Sequence, residues 1–341
     1  MTVKKSQIDH RISDSRIFLI GLLAVLMMFV SMTFGRYSLS FKEIIVTTIN
    51  GISRHVADVN AHNVIFNIRL PRVLLAFIAG AGLAVAGGSF QALFSNPLAT
   101  PDTLGVASGA SFGAVLALLL GFDLTGVQML AMAFGFLSIL IVYLIARFNQ
   151  SKSIVMVVLA GMVVSSLFQA AISFVKLTAD TQDQLPAITF WLMGGLSGTT
   201  FTSLSLSAPL ILSGLAILLL LRWRLNAISL NADEAKTLGL NVKLIQALVI
   251  FASTMITAAV VSACGQIGWV GLLIPHIARM LFGNDNRLVI PASTALGSLF
   301  FIAIDTIARA AFPSEIPVSI LTALFGAPFF IILLRKTGGV R

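Results

Sequence analysis

Apolar runs long enough to cross a bilayer recur along almost the whole chain, and no polar stretch between them is long enough to fold as a soluble domain. Ten runs stand out: 17–34, 72–94, 105–121, 127–146, 154–175, 203–221, 244–263, 268–282, 288–310 and 316–334. Several fall short of the ~20 residues that a helix perpendicular to the membrane needs, so tilt and soft boundaries are expected. Composition supports the same class: 57% of the 341 residues are hydrophobic and only 10% are charged. A water-soluble fold of this size has no means of covering that much apolar surface. The expected fold is an all-α polytopic membrane protein of about ten spans, with a tail at 1–16, a membrane domain at 17–335 and a second tail at 336–341.

The first run follows Lys4, Lys5, Arg11 and Arg16, yet it is long for a signal peptide. The Gly35-Arg36-Tyr37-Ser38 that follows offers no small-x-small cleavage site, so the run reads as an uncleaved anchor. With the N-terminus placed inside, 15 of the 22 Lys and Arg residues fall in or beside inside segments and seven outside. That excess, together with an even number of spans, predicts that both termini are cytoplasmic. The net charge of +9 gathers into no long basic cluster with aromatic neighbours, which speaks against a nucleic-acid partner.

Two connections are longer than a turn. Outside, 35–70 contains Phe41–Ile52, which reads as a short interfacial helix. Inside, 222–243 is a compact polar insert. Asn231 is a good N-cap, Glu234 completes a capping box, Ala235 and Leu238 form a small apolar face, and Gly239 stands where a helix stops. By spacing alone, a tidy loop and a docking element for a cytoplasmic partner account for it equally well. Between the second and third runs, Asn96-Pro97-Leu98-Ala99-Thr100-Pro101-Asp102 forbids a straight helix and predicts a sharp inside turn. Small residues recur every four positions at Gly80, Ala84 and Gly88 and at Gly105, Gly109 and Gly113, as ordinary close packing between membrane helices requires.

Reactive chemistry is missing. No Gly-x-x-x-x-Gly-Lys-Ser/Thr phosphate loop occurs, and no His-Glu-x-x-His motif or nucleophile elbow. A single cysteine, Cys264, reads as packing. Of the four scattered histidines, His276 lies in an apolar run and is expected to be a hydrogen-bonded structural residue.

Polar groups inside apolar runs carry more information. Asp305 and Arg309 stand four apart on one helix face and are expected to pair with each other. Arg69 and Arg72 bracket Leu70-Pro71 and read, without other context, as snorkelling side chains at the interface. The fifth run carries a weakly polar stripe of Ser165, Ser166, Gln169 and Ser173, suited to helix–helix contact or to a water-lined path.

Several blocks resemble one family: Arg69-Leu-Pro-Arg72, Gln91-Ala-Leu-Phe-Ser-Asn-Pro-Leu-Ala99, Leu104-Gly-Val-Ala-Ser-Gly109, Phe190-Trp-Leu-Met-Gly-Gly195, Gly268-Trp-Val-Gly-Leu-Leu-Ile-Pro-His-Ile-Ala-Arg279 and Leu321-Thr-Ala-Leu-Phe-Gly-Ala-Pro328. In this order they look like FecCD-type permeases, membrane subunits of binding-protein-dependent ABC importers for ferric siderophores, haem and vitamin B12. The resemblance runs from about residue 60 to the end. It implies a type II ABC importer permease fold in the cell (inner) membrane, with ten helices and a second copy completing a homodimer around a central path. It also implies a cytoplasmic ABC ATPase dimer that holds ATP and Mg²⁺, so that this chain carries no cofactor and is no enzyme, and an extracytoplasmic substrate-binding protein.

By the same resemblance, Asn231, Asp233, Glu234, Ala235, Leu238 and Gly239 dock the ATPase. Arg69, Arg72 and Arg309 meet acidic residues of the binding protein. Ser165, Ser166, Gln169 and Ser173 flank the path, with an inner gate near Ser153 and Val155. The family Gly expected at the start of the docking helix is Asn231 here. The implied cargo is an iron chelate, a ferric siderophore being the commonest in the family, with haem, cobalamin or molybdate as alternatives. The competing class is a stand-alone secondary transporter or channel, for which Asp305 would be the one acidic residue well inside an apolar run.

Overall fold

The structure, a computed structural model, describes residues 2–35, 37, 39–52, 58–148, 154–229 and 239–337. Every regular element among these residues is helical. The elements in order are α1 (Thr2–Thr33), α2 (Phe41–Ile52), α3 (Val59–Asn63), a π-helical turn (Val64–Arg69) leading into α4 (Leu70–Leu93), a 3₁₀ turn (Pro101–Leu104), α5 (Val106–Leu119), α6 (Leu124–Phe148) and α7 (Ile154–Thr178). Then follow α8 (Gln184–Leu192), α9 (Phe201–Ile228), α10 (Val242–Cys264), α11 (Val270–Phe282), α12 (Asn286–Ala310) and α13 (Val318–Thr337). Among the described residues seven helices are long and apolar enough to cross a membrane, and three shorter apolar helices, within α5, α11 and α13, lie where the other three runs were expected. α1 begins at Thr2 and runs unbroken to Thr33, with its candidate span at Ser13–Thr33.

α4 is the hub. Its candidate span is 83% buried within the chain, against 17% for α1 and 22% for α7. It packs against α1, α9, α10, α11 and α12, while α5 joins α6 and α7 into a second group bridged to the hub by α10. Lipid chains are as apolar as leucine, so close backbone approach rather than exclusion from water must hold these helices together. A Cβ built on Gly80 would lie 2.3 Å from the Gly297 carbonyl oxygen, and one on Gly87 would lie 1.9 Å from the Gly271 oxygen. α12 and α11 therefore touch α4 backbone to backbone, and only glycine fits at either crossing. Gly109 and Gly113 play the same part where α5 meets α6, facing the Phe134 and Leu130 carbonyls.

Two local features escaped sequence reading. α2 starts with a capping box: Ser40 N–H donates to Glu43 Oε2 (2.7 Å), and Glu43 N–H donates back to Ser40 Oγ (3.2 Å). The Ser40 N–H bond, together with Ser40 Oγ–H donating to the same oxygen at 2.8 Å, holds the exposed Glu43 carboxyl below its ordinary range. The π-turn has its cause in Pro71. That residue has no N–H for the Asn67 carbonyl, and the wider turn closes instead through Leu70 N–H to the Ile65 carbonyl. Without the extra residue in that turn, Arg69 would project from a different face of the helix. The predicted turn after α4 is present, with Ser95 at φ 46° and Pro101 opening the 3₁₀ turn.

Candidate functional site

At one end of the bundle the chain gathers its buried charges. Arg72, on the first turn of α4, grips Asp305 of α12 side-on: Nη2 to Oδ1 is 2.9 Å, Nε to Oδ1 is 3.0 Å and Nε to Oδ2 is 3.2 Å. Its remaining edge donates to both oxygens of Glu315, at 3.0 and 3.1 Å. One guanidinium thus binds two carboxylates with its full fork, an arrangement that lysine could not reproduce. Glu315 reaches this position because the loop after α12 folds back, its Ile316 N–H donating to the Ala308 carbonyl at 3.0 Å.

Arg309 is 3.7 Å from Asp305 through Nε, which makes no hydrogen bond, while its Nη2 donates to the carbonyl and hydroxyl of Ser31. Ser31 Oγ also bonds Thr306 Oγ1 at 2.8 Å, tying α1 to α12. Arg69 donates to the Met32 carbonyl in the last turn of α1 and to the Tyr37 carbonyl beyond its end.

This geometry corrects two expectations. Asp305 does pair with Arg309, but its hydrogen-bonded partner is Arg72, 233 residues away in sequence. Arg69 and Arg72 do not snorkel: they are 3% and 6% exposed, and Arg309 is 6% exposed. The physical reason is desolvation. Guanidinium groups turned inward at this depth persist only where carboxylates or carbonyls meet their donors, and each of the three finds such partners. For the docking role expected of these arginines, burial matters: of the cluster, Glu315 is the most open to solvent, with 29% of its side chain exposed. Nothing in its own local sequence marked Glu315, which lies in a short loop between prolines.

The polar stripe on α7 divides. Ser165 is turned inward, its Oγ 2.7 Å from Ser108 Oγ on α5, and Gln169 Nε2 reaches the same hydroxyl at 3.3 Å. Phe168 packs beside them against Phe112 and Phe134, with ring centroids at 5.7 and 6.3 Å. Ser166 and Ser173 stay exposed, as does Gln169, and the two hydroxyls back-bond to the Met162 and Gln169 carbonyls at 2.9 Å. α7 therefore buries a face of Ala160, Val164, Ile172 and Val175 and leaves a mixed one uncovered by this chain, where Ser166, Gln169 and Ser173 stand among Met162, Leu167 and Phe174.

His276 is structural, as expected, its Nε2 3.2 Å from the Pro97 carbonyl oxygen, and Cys264 is buried. Asn231, Asp233, Glu234, Ala235, Leu238 and Ser153 lie outside the described residues. Gly239 is described and takes φ +73°, a left-handed conformation suited to ending a helix. Val155 lies in the first turn of α7.

A bundle of seven candidate spans and three shorter apolar helices among the described residues, with buried charges at one end and a partly polar helix face left uncovered, is the frame of a membrane permease. The profile of the FecCD transport family matches residues 22–336, and the chain belongs to that family. It is 41% identical over 321 residues to the molybdate import system permease protein MolB of Haemophilus influenzae, covering 94% of this chain and 95% of that one. It is 33% identical to the hemin transport system permease protein HmuU of Yersinia pestis, covering 93% and 95%. Among solved structures it matches an inward-facing metal-chelate type ABC transporter described as putative, at 40% identity and a TM-score of 0.85, covering 95% of this chain and 99% of that one. The chain is thus the permease subunit of an ABC importer. Permeases of this family translocate, and ATP is hydrolysed on a separate ATPase, so the stand-alone secondary transporter is set aside.

Proposed function

We propose that two copies of this chain enclose the path by which a metal-bearing complex enters the cell, with both termini cytoplasmic and the protein in the cell (inner) membrane. The observation that carries the reading is the uncovered face of α7, where Ser166, Gln169 and Ser173 are exposed although the opposite face is tightly packed. Neutral hydroxyls and amides wet a path without gripping a charged cargo, which suits a permease whose binding protein does the selecting. Ser165 props this face from behind, and the gate is placed at Ser153 and Val155. The segment Asn231 to Gly239, with Asp233, Glu234, Ala235 and Leu238, docks the ATPase dimer.

The cluster end receives the binding protein. Burial narrows the expected trio of docking arginines to one that contacts the partner: Arg72 exchanges Glu315 for a carboxylate of the binding protein with the same two-toothed geometry, while Arg69 and Arg309 hold the frame.

The cargo proposed from sequence is an iron chelate, a ferric siderophore first. A second reading, molybdate, is favoured by the substrate named for the Haemophilus relative at 41% identity. Proteoliposomes holding the permease, its ATPase and its binding protein should take up one labelled cargo when ATP is enclosed. Uptake of ferric chelate and not molybdate supports the first reading, and the reverse supports the second. ATP-independent uptake by the permease alone would overturn the importer assembly.

A further inference from the structure

At the end of the bundle opposite the arginine cluster lies another arginine, half-buried and with a different surrounding. Arg279, in the last turn of α11, donates through Nη1 to Gln91 Oε1 of α4. The orientation of that amide is fixed. Pro275 has no N–H for the Gly271 carbonyl, and Gln91 Nε2 donates to the Gly271 and Leu272 carbonyls instead, both at 3.4 Å. Gln91 therefore turns its oxygen to Arg279, and it cannot neutralise the charge. Among the described residues no carboxylate pairs with Arg279, although Arg72, Arg287 and Arg309 each have one. The nearby Asp285 is engaged elsewhere, accepting from Asn226 Nδ2 at 2.6 Å and lying 3.2 Å from Arg287 Nε. The carbonyl end of α11 offers only a fractional negative charge.

Arg279 lines a cavity of about 240 Å³ with Gln91, Ser95, Asn96, Asn284 and Asn286. Asn286 is only 4% exposed, and its Oδ1 has no hydrogen-bond partner. A half-turn about the last side-chain torsion exchanges that oxygen for an NH₂ group, so the same buried amide can present two donors. Every polar side chain in this wall is neutral or cationic. An unneutralised guanidinium, an unsatisfied buried amide and a hollow larger than a tetrahedral anion thus converge at the level where a span meets the membrane surface.

We propose that this cavity is a phosphate-anion site, occupied by the headgroup phosphate of an anionic lipid that seats α4, α9, α11 and α12 against the membrane surface. The guanidinium supplies the charge, and the Asn286 amide with Ser95 and Asn96 supplies hydrogen bonds, the division of labour expected of a basic pocket between membrane helices. The site is independent of the cargo and of the path along α7.

The test is native mass spectrometry of the full-length chain released from micelles supplied with dioleoyl phosphatidylglycerol or dioleoyl phosphatidylcholine. Wild type should retain phosphatidylglycerol on the order of tenfold better, and Arg279→Gln should reduce this to the phosphatidylcholine level. Arg287→Gln, which removes an arginine already paired with Asp285, should retain the preference. Asn286→Asp places a carboxylate in the wall and should also abolish it, which decides the matter if Arg279→Gln fails to fold. No preference in wild type, or undiminished retention in a folded Arg279→Gln or Asn286→Asp, would overturn the proposal. Added millimolar inorganic phosphate separates the sources: displacement of the lipid assigns the cavity to free phosphate, and retention assigns it to the headgroup.

Discussion

Replacing Asp305 with leucine tests whether the buried charge cluster is organised around Arg72 or around the helix neighbour Arg309. Asp305 has 1% of its side chain exposed, and both arginines are similarly enclosed at 7% and 6%. Removing it leaves Arg309 with only Ser31 and Arg72 with only Glu315. A buried pair broken on one side typically costs about 3–5 kcal/mol, because the surviving charge stays desolvated. The two couplings should differ. At an effective dielectric constant of about 20, the 2.9 Å separation from Arg72 is worth about 6 kcal/mol and the 3.7 Å separation from Arg309 about 4.5. Arg72 adds hydrogen bonds to a charged acceptor, about 1.5 kcal/mol or more, which the Nε of Arg309 does not make. The Arg72–Asp305 coupling should therefore exceed the Arg309–Asp305 coupling by about 3 kcal/mol. Two double-mutant cycles, with Arg72→Met and Arg309→Met each combined with Asp305→Leu, measure this by unfolding titration of the purified chain in mixed micelles. Equal couplings, or a larger one for Arg309, would refute the arrangement.

Three further outcomes follow from individual contacts. Gly87→Ala sets a methyl group 1.9 Å from the Gly271 carbonyl oxygen and should cost about 1–3 kcal/mol or prevent assembly, whereas Gly268→Ala, with open space around it, should change stability by about 0.5 kcal/mol or less; comparable thermal midpoints would contradict the α4–α11 contact. A helix breaker at Glu234 should leave ATPase binding to nucleotide intact but uncouple hydrolysis from uptake, and normal transport by Glu234→Pro would remove the coupling role from that segment. The Glu43 carboxyl, held low by its bonds to Ser40, supports the first turn of α2 above the ordinary glutamate range and ceases to do so as pH falls through the lowered value. Ser40→Ala should move that titration part of the way back up, as followed by carboxyl NMR; an unmoved titration would show that the hydroxyl contributes nothing.

Much of the fold was legible because the bilayer imposes it. Ten apolar runs had to become helices, since unpaired backbone groups are not tolerated in lipid, and their predicted limits agree with α4, α10 and α12 to within a few residues. The Gly80 and Gly109 rows announced close packing because a residue with no side chain on a membrane helix invites a backbone to approach. Partners were not legible. Asp305 and Arg309 advertised each other through four-residue spacing, yet the hydrogen bonds went to Arg72. The α4–α12 crossing at Gly80 and Gly297 brings those two helix ends together, and the π-turn before Pro71 aims the arginines inward. Gln91 and Arg279 were conspicuous only as parts of separate motifs, and it took the α4–α11 contact to make one explain the other.

The sequence by itself determined that this chain spans a membrane, roughly where it does so, that it holds no phosphate-loop motif and which family it belongs to. These properties depend on composition, period and motif order, all of which are local or one-dimensional. Tertiary structure alone decided which charges neutralise one another among the described residues, which face of α7 remains uncovered and that Arg279 meets an amide there rather than a carboxylate. Each of those depends on how helices distant in sequence are rotated against one another, and that rotation is set by contacts a few ångströms across that no spacing along the chain encodes.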